Sequence, residues 1–310
     1  MMRFAILLNS LTTDKYRNIF CQIKNKSVLL CTNTVLLMEN QLFSLKDKVV
    51  IVTGACGVLG ESIVHYFANQ GARVVLLARD HSAAQAETIV AGIRAAGGEA
   101  MFLATDVTNK ATLEENCRAI LAAYGTIDVL LNAAGGNMPA ATVPPDKTIF
   151  DLDVDAVRKV VDLNLFGTII PTLVFARVMA DNKKGSIINF CSESSFRPLT
   201  RVAGYGAAKS AVANWTKYLA GELALKFGDG LRVNGIAPGF ILSKQNRALL
   251  INEDGSLIPR SKTILAHTPF GRFLRPEELM GTLHYLASDA SAAVTGTISI
   301  VDGGFESFSI

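Results

Sequence analysis

The stretch CSESSFRPLTRVAGYGAAKS, residues 191–210, carries a hydroxyl, a phenol and an ammonium at spacings that could move one proton. Ser192 follows the apolar run Ile187, Ile188, Asn189, Phe190, Cys191, which predicts a buried strand opening onto a cleft at its end. Tyr205 lies 13 residues beyond Ser192, and Lys209 follows Tyr205 by 4 in an Ala-rich segment. Four residues along a helix return to the same face, so the phenol and the ammonium are expected to be neighbours. A neighbouring cation favours the phenolate and draws a tyrosine down from about 10 toward working pH, which makes Tyr205 a candidate general acid and base. Ser192 is placed to hold a carbonyl or hydroxyl oxygen while charge develops on it, with Ser194 and Ser195 as nearby alternatives. Tyr-x-x-x-Lys alone is common on helices, so its meaning depends on the elements around it.

Those elements read as alternating strands and helices. Residues 49–52, Val-Val-Ile-Val, form a short unbroken apolar run of the kind that is covered on both faces of a sheet. Thr53, Gly54, Ala55, Cys56, Gly57, Val58, Leu59 and Gly60 then turn into a helix that Gly71 ends, and a second strand over 73–77 completes a βαβ unit. Glycines in such a turn let the backbone approach a pyrophosphate, whose charge suits the free N–H groups at the helix start. After the second strand, Ala78 offers no carboxylate to an adenosine ribose. Arg79 could pair with a 2′-phosphate, stack on adenine or point to solvent, so the local reading leans to NADP over NAD.

Further strands are expected over 100–104, 127–131, 231–236 and 297–301. The third is followed by Asp106 and Val107, where Asp106 could cap the helix beginning near Asn109. The fourth ends in Asn132, Ala133, Ala134 and Gly135, a glycine that allows close backbone approach or a tight turn. The segment 151–181 is helical in pattern but contains Asn164, whose amide competes for backbone groups, so it marks either an irregularity or a function. Pro276 with Glu277 and Glu278 suits the first turn of a last helix.

Half of the 310 residues are hydrophobic and 18% are charged, a composition of an α/β globular chain. A net charge of +3 with no basic tract sets nucleic acid aside as a partner. Cys21, Cys31, Cys56, Cys117 and Cys191 are scattered, and only 4 histidines are present, so neither a disulfide framework nor a metal site is expected. Reduced thiols in a cytoplasmic protein are the simplest account. Residues 1–40 read as an N-terminal extension to a domain over 41–310, with Met38 as the natural start. Neither the apolar run at 4–8 nor that at 28–38 is long enough to span a bilayer, and no membrane partner is expected.

The Ser192, Tyr205 and Lys209 spacing, the glycine turn, Asn164 and the closing DGGF resemble the short-chain dehydrogenase/reductase family over roughly residues 43–305. The resemblance implies a Rossmann-type doubly wound parallel sheet of about seven strands in three α/β/α layers. It implies catalysis by Ser192, Tyr205, Lys209 and Asn164, in which Lys209 also holds the nicotinamide ribose and Asn164 links it through water to solvent. Asp106, Val107, Asn132, Ala133, Gly135, Pro238 and Gly239 are implied to line the cofactor with the glycine turn, Tyr205 and Lys209. Two positions depart from the family pattern: Val58 stands where a middle glycine is usual, that glycine coming one place early at Gly57, and Ala133 replaces an asparagine. A homotetramer built through the long helices is also implied.

Asn137, Arg197, Arg201, Lys244, Gln245, Asn246 and Arg247 make the expected cleft polar and positive, which suits a polyol carboxylate better than a steroid or an acyl chain. Exposed arginines are equally ordinary surface residues. The segments GVLG, NAAGGN, FRPLTR, APGF and NRALLINEDGSLIPR resemble the D-mannonate oxidoreductase (fructuronate reductase) branch, with gluconate and 2-deoxygluconate dehydrogenases as near neighbours. Arg197 or Arg201 is the expected carboxylate partner. A ketone or 3-oxoacyl reductase, or a non-enzymatic dinucleotide sensor on the same fold, are the other readings, and a sensor typically loses the Tyr or Lys that this chain keeps.

Overall fold

The computed structural model describes residues 41–242, 247 and 250–308. The chain divides into two units, Met1–Ser44 and Leu45–Ile310; of the first only 41–44 are described, so the expected start at Met38 lies outside the described residues. Gln245, with Lys244 and Asn246, lies outside them too.

The second unit is built on seven parallel strands: β1 (Val49–Thr53), β2 (Arg73–Ala78), β3 (Glu99–Ala104), β4 (Val129–Asn132), β5 (Gly185–Phe190), β6 (Leu231–Pro238) and β7 (Ile298–Val301). Their order across the sheet is β3-β2-β1-β4-β5-β6-β7, as expected of a doubly wound α/β fold. Between them run α1 (Val58–Asn69), α2 (Ala83–Ala95), α3 (Lys110–Tyr124), α4 (Val154–Val161), α5 (Gly167–Asp181), α6 (Ala203–Phe227), α7 (Pro259–Ala266) and α8 (Met280–Ala287).

The unbroken apolar strands follow from burial on both faces, because successive side chains point to opposite sides. Val50 and Val52 of β1 pack with Ile63 and Phe67 of α1, Ile89 of α2 and Leu283 of α8. Val49 and Ile51 point the other way, toward Leu113 of α3, Phe175 of α5 and Leu219 of α6. Sheet order reverses between β1 and β4, and such a switch point opens a crevice at the carboxyl ends of the strands.

Helices α4 and α5 form one rod with a π-helical turn, Asp162–Phe166, between them. By length and composition this rod, Val154–Asp181, is apolar enough to cross a membrane, yet Phe175 and Met179 are wholly buried against the sheet. The one extra residue in the π turn is the irregularity that Asn164 announces in the sequence.

Candidate active site

The carboxyl ends of β1, β4 and β5 are fixed by a buried polar ladder. Register pairs Thr53 with Asn132 and Asn132 with Asn189. Asn132 Nδ2 donates to Asn189 Oδ1 at 2.9 Å and to Thr172 Oγ1 at 2.8 Å, and Asn189 Nδ2 donates to Thr216 Oγ1 at 3.0 Å. The strand ends are thereby tied to α5, which follows the π turn of Asn164, and to α6, which carries Tyr205 and Lys209. Thr53 Oγ1 accepts from Ala134 N at 3.0 Å. Thr53 and Asn132 were expected to line the cofactor; their side chains are buried and hold the β1 and β4 turns together instead. Their place at the strand ends made them legible, but the inward direction comes from the pleat.

Gly54 has a left-handed φ of 67°, and a Cβ there would stand 2.8 Å from Ala134 Cα, so glycine is required by conformation and by space. Gly57 is the N-cap of α1 and has no side-chain cap, which leaves the helix N-terminus open. Val58 and Leu59 begin the helix and are partly buried, and Gly60 packs so closely on Gly54 O that a Cβ would approach to 2.2 Å. The displaced middle glycine therefore still gives a cradle of backbone N–H groups that fits a pyrophosphate. Arg79 is exposed at the end of β2 behind the buried Ala78. Asp106 is also exposed, but its Oδ1 accepts from Thr108 N at 2.9 Å and Thr108 Oγ1 at 2.7 Å, while Asn109 caps α3. Val107 is buried against Gly167 at the start of α5. Ala133 is half-buried, Pro238 ends β6, and a Cβ on the following Gly239 would meet Asp302 Cα at 2.6 Å.

Ser192 immediately follows β5 and caps the short turn Glu193–Ser195. Its Oγ accepts from Ser194 N at 3.3 Å and Ser194 Oγ at 3.0 Å, and its side chain also meets Tyr205. With both lone pairs engaged, its single O–H is what it offers to Tyr205, and a substrate oxygen seated between the two would take that proton in turn. Ser195, read as an alternative to Ser192, instead donates its Oγ to Lys209 O at 2.9 Å and accepts from Ser192 N at 3.1 Å. It locks the serine turn to α6.

Tyr205 and Lys209 lie one turn apart on α6, with Lys209 Nζ 5.7 Å from the centre of the phenol ring. Lys209 Nζ donates to Phe190 O at 2.7 Å and is almost wholly buried, which pulls its pKa from 10.5 to about 8. The expectation that the ammonium lowers the Tyr205 pKa is corrected here. Burial raises it above the ordinary 10, and the Ser192 hydrogen bond offsets only part of that rise. Tyr205 packs on Ala141, Ala156 and Val160, so a phenolate would lose hydration on that side.

Asn164 is fully buried in the π turn. Its Nδ2 donates to Gly136 O at 2.7 Å and Val160 O at 2.8 Å, and its Oδ1 accepts from Gly136 N at 3.1 Å. It thus clamps the loop after β4 and keeps one Oδ1 lone pair free. A Cβ at Gly135 would stand 2.7 Å from Asn164 Oδ1 and 3.3 Å from Lys209 Nζ, so the glycine keeps open the space between them. Ser192 and Tyr205 meet side chain to side chain, Lys209 lies beside the Tyr205 ring, and Asn164 faces Lys209 across Gly135.

Of the expected substrate residues, Arg197 and Arg201 line one cavity, but their guanidinium groups are engaged differently. Arg197 is corrected from a carboxylate clamp to an anchor of the chain end: its Nε lies 2.7 Å from Glu306 Oε2, and its other nitrogens donate to the Glu306 and Phe308 carbonyls. Arg201 is exposed, adopts a left-handed φ of 75°, and lines a cavity of about 500 Å3 with Ser194, Leu199 and Ser210. Arg260 was missed. It donates to Thr200 Oγ1 at 3.1 Å, and burial together with the nearby Arg201 lowers its pKa. Neither arginine forms an ion pair among the described residues, and Arg260 lies in the first turn of α7 at the end of the NRALLINEDGSLIPR segment. Asn137 is exposed and donates to Thr142 Oγ1 at 3.1 Å, and Arg247 is exposed.

The chain matches the short chain dehydrogenase family model over residues 48–254. It is 39% identical over 275 residues to the uncharacterized oxidoreductase UxuB of Bacillus subtilis, covering 86% of this chain and 97% of that protein. Among solved structures it is similar to a provisionally assigned D-mannonate oxidoreductase from Haemophilus influenza with bound NAD, at 38% identity and a TM-score of 0.81, covering 86% and 97% of the two chains. A gluconate 5-dehydrogenase from Burkholderia cenocepacia in complex with NADP and tartrate is 30% identical with a TM-score of 0.76, covering 87% and 99%. The open cradle at α1 and the serine, tyrosine and lysine around one point agree with these matches: the chain belongs to the short-chain dehydrogenase family and is an NAD(P)-dependent oxidoreductase acting on CH–OH groups.

Proposed function

We propose that this chain interconverts a secondary alcohol and a ketone on a sugar acid, D-mannonate and D-fructuronate being the favoured pair. Two arginines without acidic partners among the described residues, Arg201 and Arg260, carry the reading, because adjacent guanidinium groups call for an anionic ligand. The likeness to the Haemophilus protein supports the mannonate pair, and the gluconate dehydrogenase with tartrate supports gluconate as a second reading.

The 53–60 turn would hold a nicotinamide dinucleotide, which when bound would supply or accept the hydride. Tyr205 gives its phenol proton to the ketone oxygen, and burial keeps that proton in place at neutral pH. The Ser192 O–H holds the same oxygen as charge develops. Lys209 keeps an ammonium or amine beside Tyr205, and Asn164 positions the 135–136 loop beside it. Arg79, exposed at the end of β2, supports NADP as the preferred coenzyme. Exposed Leu173 on α5, with Tyr218 and Leu225 on α6, supports a homotetramer through these helices, and the buried free thiols Cys56, Cys117 and Cys191 support a cytoplasmic location.

The test follows absorbance of the reduced nicotinamide with NADH and NADPH in parallel, offering D-fructuronate or an uncharged ketone. Oxidation with fructuronate alone is expected, faster with NADPH. Turnover of the ketone and not of fructuronate would discard the sugar-acid reading.

A further inference from the structure

Glu193, next to Ser192, is 2% exposed, and neither of its carboxylate oxygens has a hydrogen-bond partner. Glu306 Oε2 is likewise buried without a hydrogen bond, although Arg197 Nε lies 2.7 Å away. The two carboxyl groups stand within hydrogen-bonding reach of each other. Two carboxylates have acceptors only, so nothing between them can satisfy these oxygens unless one carboxyl is protonated. A single shared proton supplies the missing donor and removes one of two repelling charges.

Glu306 belongs to the chain end, where Asp302 accepts from Gly304 N at 2.7 Å and from Glu306 N at 2.6 Å. Phe305, in the same turn, is buried with edge contacts at 5.2 Å to both Phe240 and His267. This turn follows β7 beside Gly239 and so joins the serine turn to the segments after β6. We propose that Glu193 is a positioning residue whose carboxyl shares a proton with Glu306 and so latches residues 302–308 onto the turn that carries Ser192.

The groups facing the pair decide what happens when the proton leaves. Asp302, Glu306 and Arg197 lie around Glu193, α6 brings Tyr205 and Lys209 to the serine turn, and His267 meets the Phe305 ring edge-on. Burial first, then Asp302 and Glu306, raise the Glu193 pKa from 4.5 to about 8, with Arg197 opposing. Deprotonation leaves three carboxylates against Arg197, so the latch loosens as pH rises through about 8.

This inference goes beyond the sugar-acid reading, and its test needs no substrate. Hydrogen exchange of amides 303–308, corrected for intrinsic rates, would be compared between about pH 6.5 and 9.5. Protection in the natural protein is expected to fall by about tenfold or more across that range. Glu193→Gln, which donates at every pH, should stay protected throughout, whereas Glu193→Ala should be loose at both ends. Glu306→Gln repeats the test from the other side should the first variant fail to fold. Protection that does not change with pH in the natural protein, or that falls equally in both glutamine variants, would overturn the proposal.

Discussion

At the amino ends of the strands, the buried Arg232 donates to the Leu286 carbonyl at 3.0 Å, to the Ser288 carbonyl at 3.1 Å and to Ser291 Oγ, and Lys48 reaches Asp289 at 2.7 Å. Each charge there has several partners. At the carboxyl ends, Lys209 is just as buried but has one carbonyl, and Glu193 has no donor at all. Burial without compensation shifts Lys209 down and Tyr205 and Glu193 up. The same sheet thus gives its charges several partners at one end, although burial lowers even Arg232, and few at the other, where Lys209 and Glu193 are brought to about 8 while Tyr205 is held protonated.

The sharpest way to break this comparison is to remove the proton donor. Tyr205→Phe should lower kcat by about 10²–10⁴-fold, the range for loss of a general acid, while unfolding changes by only about 1 kcal/mol for one lost hydrogen bond. Steady-state kinetics beside thermal melts would show it, and a loss below about tenfold would place the acid elsewhere.

Next in size is Lys209→Met. The folded pKa of Lys209, about 8, lies below its ordinary 10.5, so the unfolded chain binds more protons between those values. The burden of the buried ammonium is therefore full below about pH 8 and is relieved as pH rises toward 10.5. The methionine variant should be the more stable one at pH 7, by up to about 3 kcal/mol less the lost Phe190 hydrogen bond, and nearly inactive. Denaturant melts across pH should show the advantage shrinking on the alkaline side. An advantage that is constant with pH would mean that Lys209 carries no such burden.

The contrast also explains what could be read from sequence. Ser192, Tyr205 and Lys209 were legible because a strand end and one helical turn fix their relation locally, and Asn164 because a helix interior rejects an amide without cause. The inner strands β1, β2 and β4 were legible because burial on both faces writes unbroken apolar runs, whereas the half-exposed edge strands β3 and β7 carry that signal only in part. The fate of Arg197 was not, since its partners Glu306 and Phe308 lie 109 and 111 residues away and meet it only through the last strand. The direction of the Tyr205 shift was not legible either: spacing reveals the neighbouring charge, but desolvation depends on Ala141, Ala156 and Val160, which come from other elements.

The smallest effect is expected at the balanced end, from Asp289→Asn. Burial tends to raise the Asp289 pKa, but the hydrogen bond and charge of Lys48, with Lys184 at 3.5 Å, outweigh it and leave the value lowered. A lowered folded value means that the stabilisation is present above the ordinary 3.8 and disappears as pH falls through the folded value. The carboxylate is 47% exposed, so solvent screens the pair and the loss at neutral pH should be only about 0.5 kcal/mol, with kcat unchanged. Melts at pH 7 and near pH 2 would separate the variant from the natural protein at the first pH and merge them at the second. A change in kcat would show instead that charge at the amino ends reaches the catalytic turn through the strands, and the division between the two ends would fail.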